Sequence, residues 1–464
     1  MHEKEASPSA YAQVVFRLGQ RHEKAHFATI PQIVDLSGIN REDRLRRTRE
    51  EIGKGTPALY QAALRAETRL GGKSCEVYGE PDFLIREDGG YVVRDSKLAR
   101  KVEDHPEIQR QVELYGWLFE QSIGHPPIRL EVHNGLGEIV PLPYDGGSAA
   151  LEMLEDILSF KTASKPPYSP VGWSKCGGCG FHDICWDKAK EQNDVAMVVG
   201  VDQGLALALR QGGIHSIAEL LDKFTVGTLE SFQRPWGQRT QRVGKNAGSI
   251  LRMARALHTK KEEVIQPPQI PDRPNYVMFD LEGLPPQMDD LGKIYLWGMQ
   301  VYGEKPGPYQ PALAGFGVEG DRQGWMDFLT GAENIFRDYG GIPFVHWHHY
   351  EKTHINEYLD RYGDRDGIAE RVKRNLLDLL PITKESVALP LCSYSLKVVE
   401  KYVGFKRTQK EYGGDWSMAR YIEATETEDE AMRKEVMDEI LVYNKEDLAA
   451  TWAVLQWLRK KILA

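Results

Sequence analysis

Two acids one residue apart, Asp280 and Glu282, close the apolar run Tyr276-Val-Met-Phe279. Far downstream, Tyr443-Asn-Lys-Glu-Asp447 sets a tyrosine four residues before another acid. On a strand, residues i and i+2 point to one face, so Asp280 and Glu282 project together. On a helix, i and i+4 share a face, which puts Tyr443 one turn from Asp447. Three carboxylates converging in a small space repel one another unless cations offset the charge. Oxygen ligands of this kind suit Mg²⁺ or Mn²⁺, and a pair of such ions can clamp an in-line phosphoryl displacement. A charged pair ending a buried strand marks a site more often than a solvated strand end.

A second set of residues lies in the N-terminal part. Gly79-Glu-Pro-Asp82 ends one strand pattern and Asp95-Ser-Lys97 ends the next, with Asp95 and Lys97 again at i and i+2. An aspartate there can hold a metal while the lysine steadies charge building on a phosphate. Gln111 and Tyr115 share a helix face, and His22, beside Glu23, offers an imidazole in an earlier helix. Cys176-Gly-Gly-Cys179-Gly-Phe-His182-Asp-Ile-Cys185 then places three thiols in ten residues, a spacing that converges on one soft metal or cluster.

Asp280-x-Glu282 with Tyr443-x-x-x-Asp447 resembles the DEDD exonucleases on an RNase H-like fold, in the version with a tyrosine in the last motif. His22, Gly79-x-x-Asp82, Asp95-x-Lys97 and Gln111-x-x-x-Tyr115, in that order, resemble the RecB-type nucleases of the PD-(D/E)XK superfamily. Both halves together resemble a family of RecB-like nucleases, with a cysteine cluster and a YprB-type exonuclease domain. Ser393-Tyr-Ser-Leu-Lys397 and Gly404-Phe-Lys-Arg407 extend that resemblance over nearly the whole chain.

The resemblance implies metal ligation by His22, Asp82 and Asp95, a catalytic Lys97, and nucleic-acid contacts from Gln111 and Tyr115. In the C-terminal site it implies that Asp280, Glu282, Glu351 and Asp447 bind two ions, that Tyr443 orients the attacking water, and that degradation runs 3′ to 5′. Glu351, in His346-Trp-His-His-Tyr350-Glu351, stands where the family has an aspartate and reaches one methylene further. For Cys176, Cys179 and Cys185 it implies an iron–sulfur cluster with a fourth cysteine near the start. The first 26 residues contain no cysteine, and Cys75 is the only spare nearby. His182 would instead complete a Cys₃His zinc site.

The segments that must carry these residues read as α/β. Helices are expected over 8–26, 43–69 and 105–121, with strands at 76–78, 82–85, 91–95 and 129–132. Residues 195–261 read as mostly helical. They carry nine Lys or Arg and one Glu between 223 and 261. Gln266-Pro-Pro-Gln-Ile-Pro-Asp-Arg-Pro274 reads as a stiff linker. Beyond it come a strand through Glu282, an antiparallel neighbour at 294–301, a helix over 321–338, a strand at 342–346, and helices at 350–362 and from 416 on. The domains are therefore expected at 1–190 (restriction-endonuclease-like, with the cysteine cluster), 191–265 (a basic helical connector) and 275–464 (RNase H-like).

Composition agrees with a soluble globular protein of two or three domains, at 41% hydrophobic and 27% charged residues. No apolar run is long enough for a membrane span. Five cysteines point to a reducing compartment, taken as the cytoplasm. A net charge of −9 does not exclude nucleic acid, because a local basic track can coexist with clustered acids. The expected partner is nucleic acid, with DNA favoured. Two rivals share the motifs: a nucleic-acid-binding scaffold with decayed sites, and a ribonuclease.

Overall fold

Alternation in Asn275–Leu284 decides the layout of the C-terminal half. Val277, Phe279 and Leu281 enter one apolar core, and Tyr276 and Met278 enter another on the opposite face. The computed structural model describes residues 8–173, 176–177, 179–237, 239–286, 291–410 and 413–462. It divides into two compact units, one from Ala12 to Tyr168 and one made of residues 8–11 together with the chain from Ser169 onward.

In the second unit, Asn275–Leu284 is central to a five-stranded sheet. The order is Gln310–Leu313, Lys293–Gly303, Asn275–Leu284, Phe344–His346 and Leu376–Asp378. The first three strands run antiparallel; Phe344–His346 pairs in parallel with the centre, and Leu376–Asp378 in parallel with Phe344–His346. Helix Gly317–Tyr339 covers one face with Trp325, Phe328, Ala332 and Ile335 buried, and Phe328 stacks on Phe279 and Trp297. Helix Glu430–Ile462 packs against the two long strands. Its Leu448, Val454, Leu455 and Leu458 share the core that holds Tyr276 and Met278. Asp280 and Glu282 continue that face, beneath Tyr443 and Asp447 of the same helix. The expected helix from 416 on is broken in two, Gly414–Glu426 and Glu430–Ile462, with Thr427 extended between them.

Among the described residues, five α-helices between His182 and Thr259 build the connector, which also contains a hairpin, Gln233–Trp236 with Arg239–Arg242, inside the basic stretch. The cysteine segment, expected with residues 1–190, belongs to this unit. Val171, Trp186 and Ala189 are buried in the same core as Leu205, Leu379 and Ala388, and that apolar burial decides where the segment goes.

The first unit is built on a mixed six-stranded sheet. Its order is Ile33–Asp35, Ala58–Tyr60, Phe83–Glu87, Gly90–Ser96, Leu130–His133 and Ile139–Leu142. Helix Pro106–Ile123 crosses between the parallel strands Gly90–Ser96 and Leu130–His133, burying Val112, Trp117, Leu118 and Phe119. The helix expected over 43–69 runs only from Arg41 to Lys54. Gly55, at φ 72°, caps it in the left-handed region, and its N–H donates to Glu51 and Ile52 carbonyls. Residues 58–60 and 64–70 are strands instead. Their Ala and Leu content favours helix only weakly, and full burial of Ala58, Leu59 and Leu64 against sheet neighbours overrides it. No helix among the described residues is long and apolar enough to cross a membrane.

Candidate active site

One trio among the described residues brings three possible metal-ligating side chains together. Atoms of Asp280, Glu282 and Asp447 all lie within 4.8 Å of one another. Glu282 and Asp447 are buried and Asp280 is half-buried. Burial first, then the charges of Asp447, Glu282 and Glu351, push the Asp280 carboxyl well above its usual range. Glu282 is pushed up in the same way, by burial and then by Asp447. Such a cluster favours whatever positive charge can reach it.

Two cations already do. The Lys397 ammonium and the Arg407 guanidinium both donate to Asp447 Oδ1. Arg407 also grips Glu400 with two bonds of 2.7 Å, and both side chains are almost fully buried. The segments 393–397 and 404–407 are thus the local counter-charge of the acidic site.

Tyr443 is 3% exposed, with Lys397 Nζ 4.5 Å above its ring and Trp416 edge-on at 5.8 Å. Burial and the nearby acids hold its phenol well above the usual pKa, so it keeps its proton. Its neighbour Asn444, which the motif reading passed over, is fully buried. It donates from Nδ2 to Asp280 Oδ2 at 2.8 Å and accepts the Tyr309 hydroxyl at 2.9 Å. Gly298 sits opposite Asp280 in the sheet register, and a Cβ there would collide with the Asn444 amide. Likewise a Cβ at Gly283 would strike the Tyr350 hydroxyl. A glycine facing a motif acid was the sequence signal for this close packing.

Glu351 is 2% exposed and lies outside the 4.8 Å trio, although its charge reaches both Asp280 and Glu282. His346 Nδ1 lies 3.1 Å from Glu351 Oε2 and 2.7 Å from the His348 carbonyl. Burial lowers the His346 pKa, but the Glu351 hydrogen bond and charge outweigh it and raise it overall.

In the first unit, Asp82, Asp95 and Lys97 meet. Lys97 Nζ is 2.6 Å from Asp95 Oδ2, the Asp82 amide reaches Asp95 Oδ1 at 3.4 Å, and Asp82 Oδ2 accepts the Ser96 amide at 2.8 Å. Burial, then Asp95 and Glu23, pushes Asp82 up to about 9. Burial lowers the Lys97 pKa, yet Asp95 outweighs it and keeps the ammonium charged. Gln111 donates to the Tyr115 hydroxyl at 2.8 Å, and the charges of Asp95 and Asp82 help raise the Tyr115 phenol after burial. Glu23, rather than His22, is the helix residue wired to the acids. Its Oε1 accepts from Gln61 Nε2, which also donates to Asp82. His22 instead stacks on His133 at 4.3 Å, and His22, Asp82 and Asp95 do not form a trio as tight as that of the C-terminal site.

Cys176 and Cys185 are half-buried and Cys179 is exposed. The Cys179 amide donates to the Cys176 carbonyl at 3.2 Å and the Gly172 amide to Cys176 Sγ at 3.3 Å. His182 Nδ1 is taken up by Asp183 at 2.9 Å. Among the described residues these groups do not come within 4.8 Å of one another as a set of three.

Residues 277–459 match the sequence model of the RNase H superfamily, RNase_H_2. The C-terminal sheet and its helices are therefore an RNase H-like domain, which points to nuclease chemistry on nucleic acid. Among solved structures, the "Crystal structure of SSO0001" matches 38% of this chain and 97% of its own, at 19% identity. Its TM-score is 0.21. No curated protein matches the chain.

Proposed function

We propose that this protein hydrolyses phosphodiester bonds of nucleic acid at Asp280, Glu282 and Asp447, with Mg²⁺ or Mn²⁺ as the metal. The observation that carries this reading is the convergence of those three carboxylates within 4.8 Å inside an RNase H-like domain. The donor set fits a hard dication: all ligand atoms are carboxylate oxygens, partly or wholly buried, and two of the groups are driven toward their neutral forms without one. When bound, the metal supplies charge stabilisation for displacement at phosphorus. Asn444 fixes the rotamer of Asp280, and Lys397 and Arg407 fix that of Asp447. Glu351, steadied by His346, is a fourth acid within electrostatic reach. Tyr443, protonated and facing the acids, donates a hydrogen bond that orients the attacking water. Removal from the 3′ end and a preference for DNA are part of this proposal and rest on the resemblance to tyrosine-bearing DEDD exonucleases.

The first unit is proposed as a second nuclease site of RecB type. Asp82 and Asp95 would be its metal ligands, Lys97 its stabilising cation, and Gln111 with Tyr115 its substrate contacts. The Asp82–Asp95–Lys97 contacts support it.

The test is hydrolysis of end-labelled DNA and RNA with Mg²⁺, Mn²⁺ or chelator. Asp280→Asn and Asp447→Asn are expected to remove the metal-dependent exonuclease component. Lys97→Ala is expected to remove a separable activity. Unchanged turnover in the first two variants would overturn the C-terminal assignment. Binding of nucleic acid with no hydrolysis under any metal would favour a scaffold instead.

A further inference from the structure

Trp173, Trp236 and Trp347, from three separate segments of the second unit, line one cavity of about 1060 Å³. Trp173 and Trp236 are 45% and 59% exposed, so large ring faces are left to water. Arg234, also lining the cavity, sits 4.6 Å over the Trp236 ring and pairs with Asp202. Lys384 adds a further cation, giving the lining charges of Arg234, Lys384 and Asp202 a net positive balance.

One wall is continuous with the acidic site. Trp347 follows His346, the partner of Glu351, and Leu396 of the lining precedes Lys397, the partner of Asp447. Consecutive Cα atoms are about 3.8 Å apart, so the cavity begins one residue from groups that hold the acids. That wall is firmly built. Trp347 Nε1 donates to the Tyr394 carbonyl at 3.0 Å. The His348 amide donates to Asp378 at 2.9 Å from a backbone held at φ 82°.

Indole planes interleaved with cations are how proteins hold unpaired bases, whose π-faces stack without regard to sequence. The volume is at the upper end of ordinary ligand pockets, which run to roughly 1,000 Å³, and leaves room for more than one base. We infer that this cavity holds unpaired nucleotides of the substrate strand next to the scissile bond, with bases on Trp236 and Trp173 and phosphates toward Arg234 and Lys384. This rests on the reading of the neighbouring acids as a nucleic-acid hydrolase.

The test is anisotropy of fluorescein-labelled oligodeoxythymidylate with the full-length protein in chelator, paired with steady-state hydrolysis in Mn²⁺. Trp236→Ala and Trp173→Ala are each expected to weaken oligonucleotide binding at least about 5-fold. They should raise KM and leave kcat unchanged. Trp236→Phe should restore most of the binding, because it restores a stacking face. If both alanine variants bind as tightly as the parent while Asp280→Asn still abolishes hydrolysis, the cavity assignment fails and the active site stands. A defect confined to duplex, or displacement of the oligonucleotide by thymidine monophosphate at equal affinity, would also overturn it. A parent protein that neither binds nor cuts would overturn the reading beneath it.

Discussion

Asn444 has no charge and no motif letter, yet the position of Asp280 depends on it. The amide is fully buried, bridges Asp280 and the Tyr309 hydroxyl, and fits only because residue 298 is a glycine. Groups that orient a metal ligand typically change affinity or activity 10–100-fold when removed. Asn444→Ala is therefore expected to lower kcat and raise the Mn²⁺ concentration for half activity, each within roughly that range. Gly298→Ala should produce the same pair of defects by pushing the amide aside. A variant with ordinary Mn²⁺ dependence and turnover would show that Asp280 is positioned without it. At this scale the sequence showed the acids themselves, because charged residues ending an apolar run are conspicuous. It did not show Asn444 or Glu23, whose roles depend on partners 164 and 38 residues away.

Helix Leu396–Tyr402, the turn through Arg407 and helix Glu430–Ile462 are tied together at one point, Arg407 between Glu400 and Asp447. Removing one partner of a buried ionic group leaves the others uncompensated, at a cost of about 3–5 kcal/mol. Arg407→Met strands Glu400 and takes one of two cations from Asp447, so denaturant unfolding of the second unit should shift by about that much. Lys397→Met, at a more exposed position, should shift it far less. Equal shifts would mean that Arg407 is not the tie. Elements were legible where the apolar pattern is strong. The strands around 277–281 and 294–301 showed as continuous apolar runs, and the helix at 350–362 as a helical pattern. The failure at 58–70 has a cause: alanine and leucine suit a helix, and only the finished sheet shows that Leu59 and Leu64 must be buried as strands. The place of the cysteine segment likewise follows the packing of Trp186 and Val171, which its neighbours in sequence do not reveal.

Two units with separate cores need not answer alike to pH, and the first contains a group of histidines that gives it a particular response. His133 lies between His22 and His26, with ring centroids 4.3 and 3.9 Å away, and Ser96 Oγ is 3.1 Å from its Nδ1. Burial, then the neighbouring imidazoles and Arg94, lowers the His133 pKa to about 4. Burial, Arg94 and His22 do the same for His26, against the pull of Glu131, also to about 4. In the unfolded chain both return to about 6.5. Between those values the unfolded state binds more protons, so stability rises with pH there. Their contribution is thus fully present above about 6.5 and is lost as pH falls toward about 4. Unfolding midpoints of the first unit, measured with chelator present, should drop between pH 7 and pH 5. His133→Gln keeps a polar partner for Ser96 and removes one titrating ring, so its drop over the same interval should be smaller. If the variant and the parent lose stability in parallel, the acid sensitivity does not come from His133.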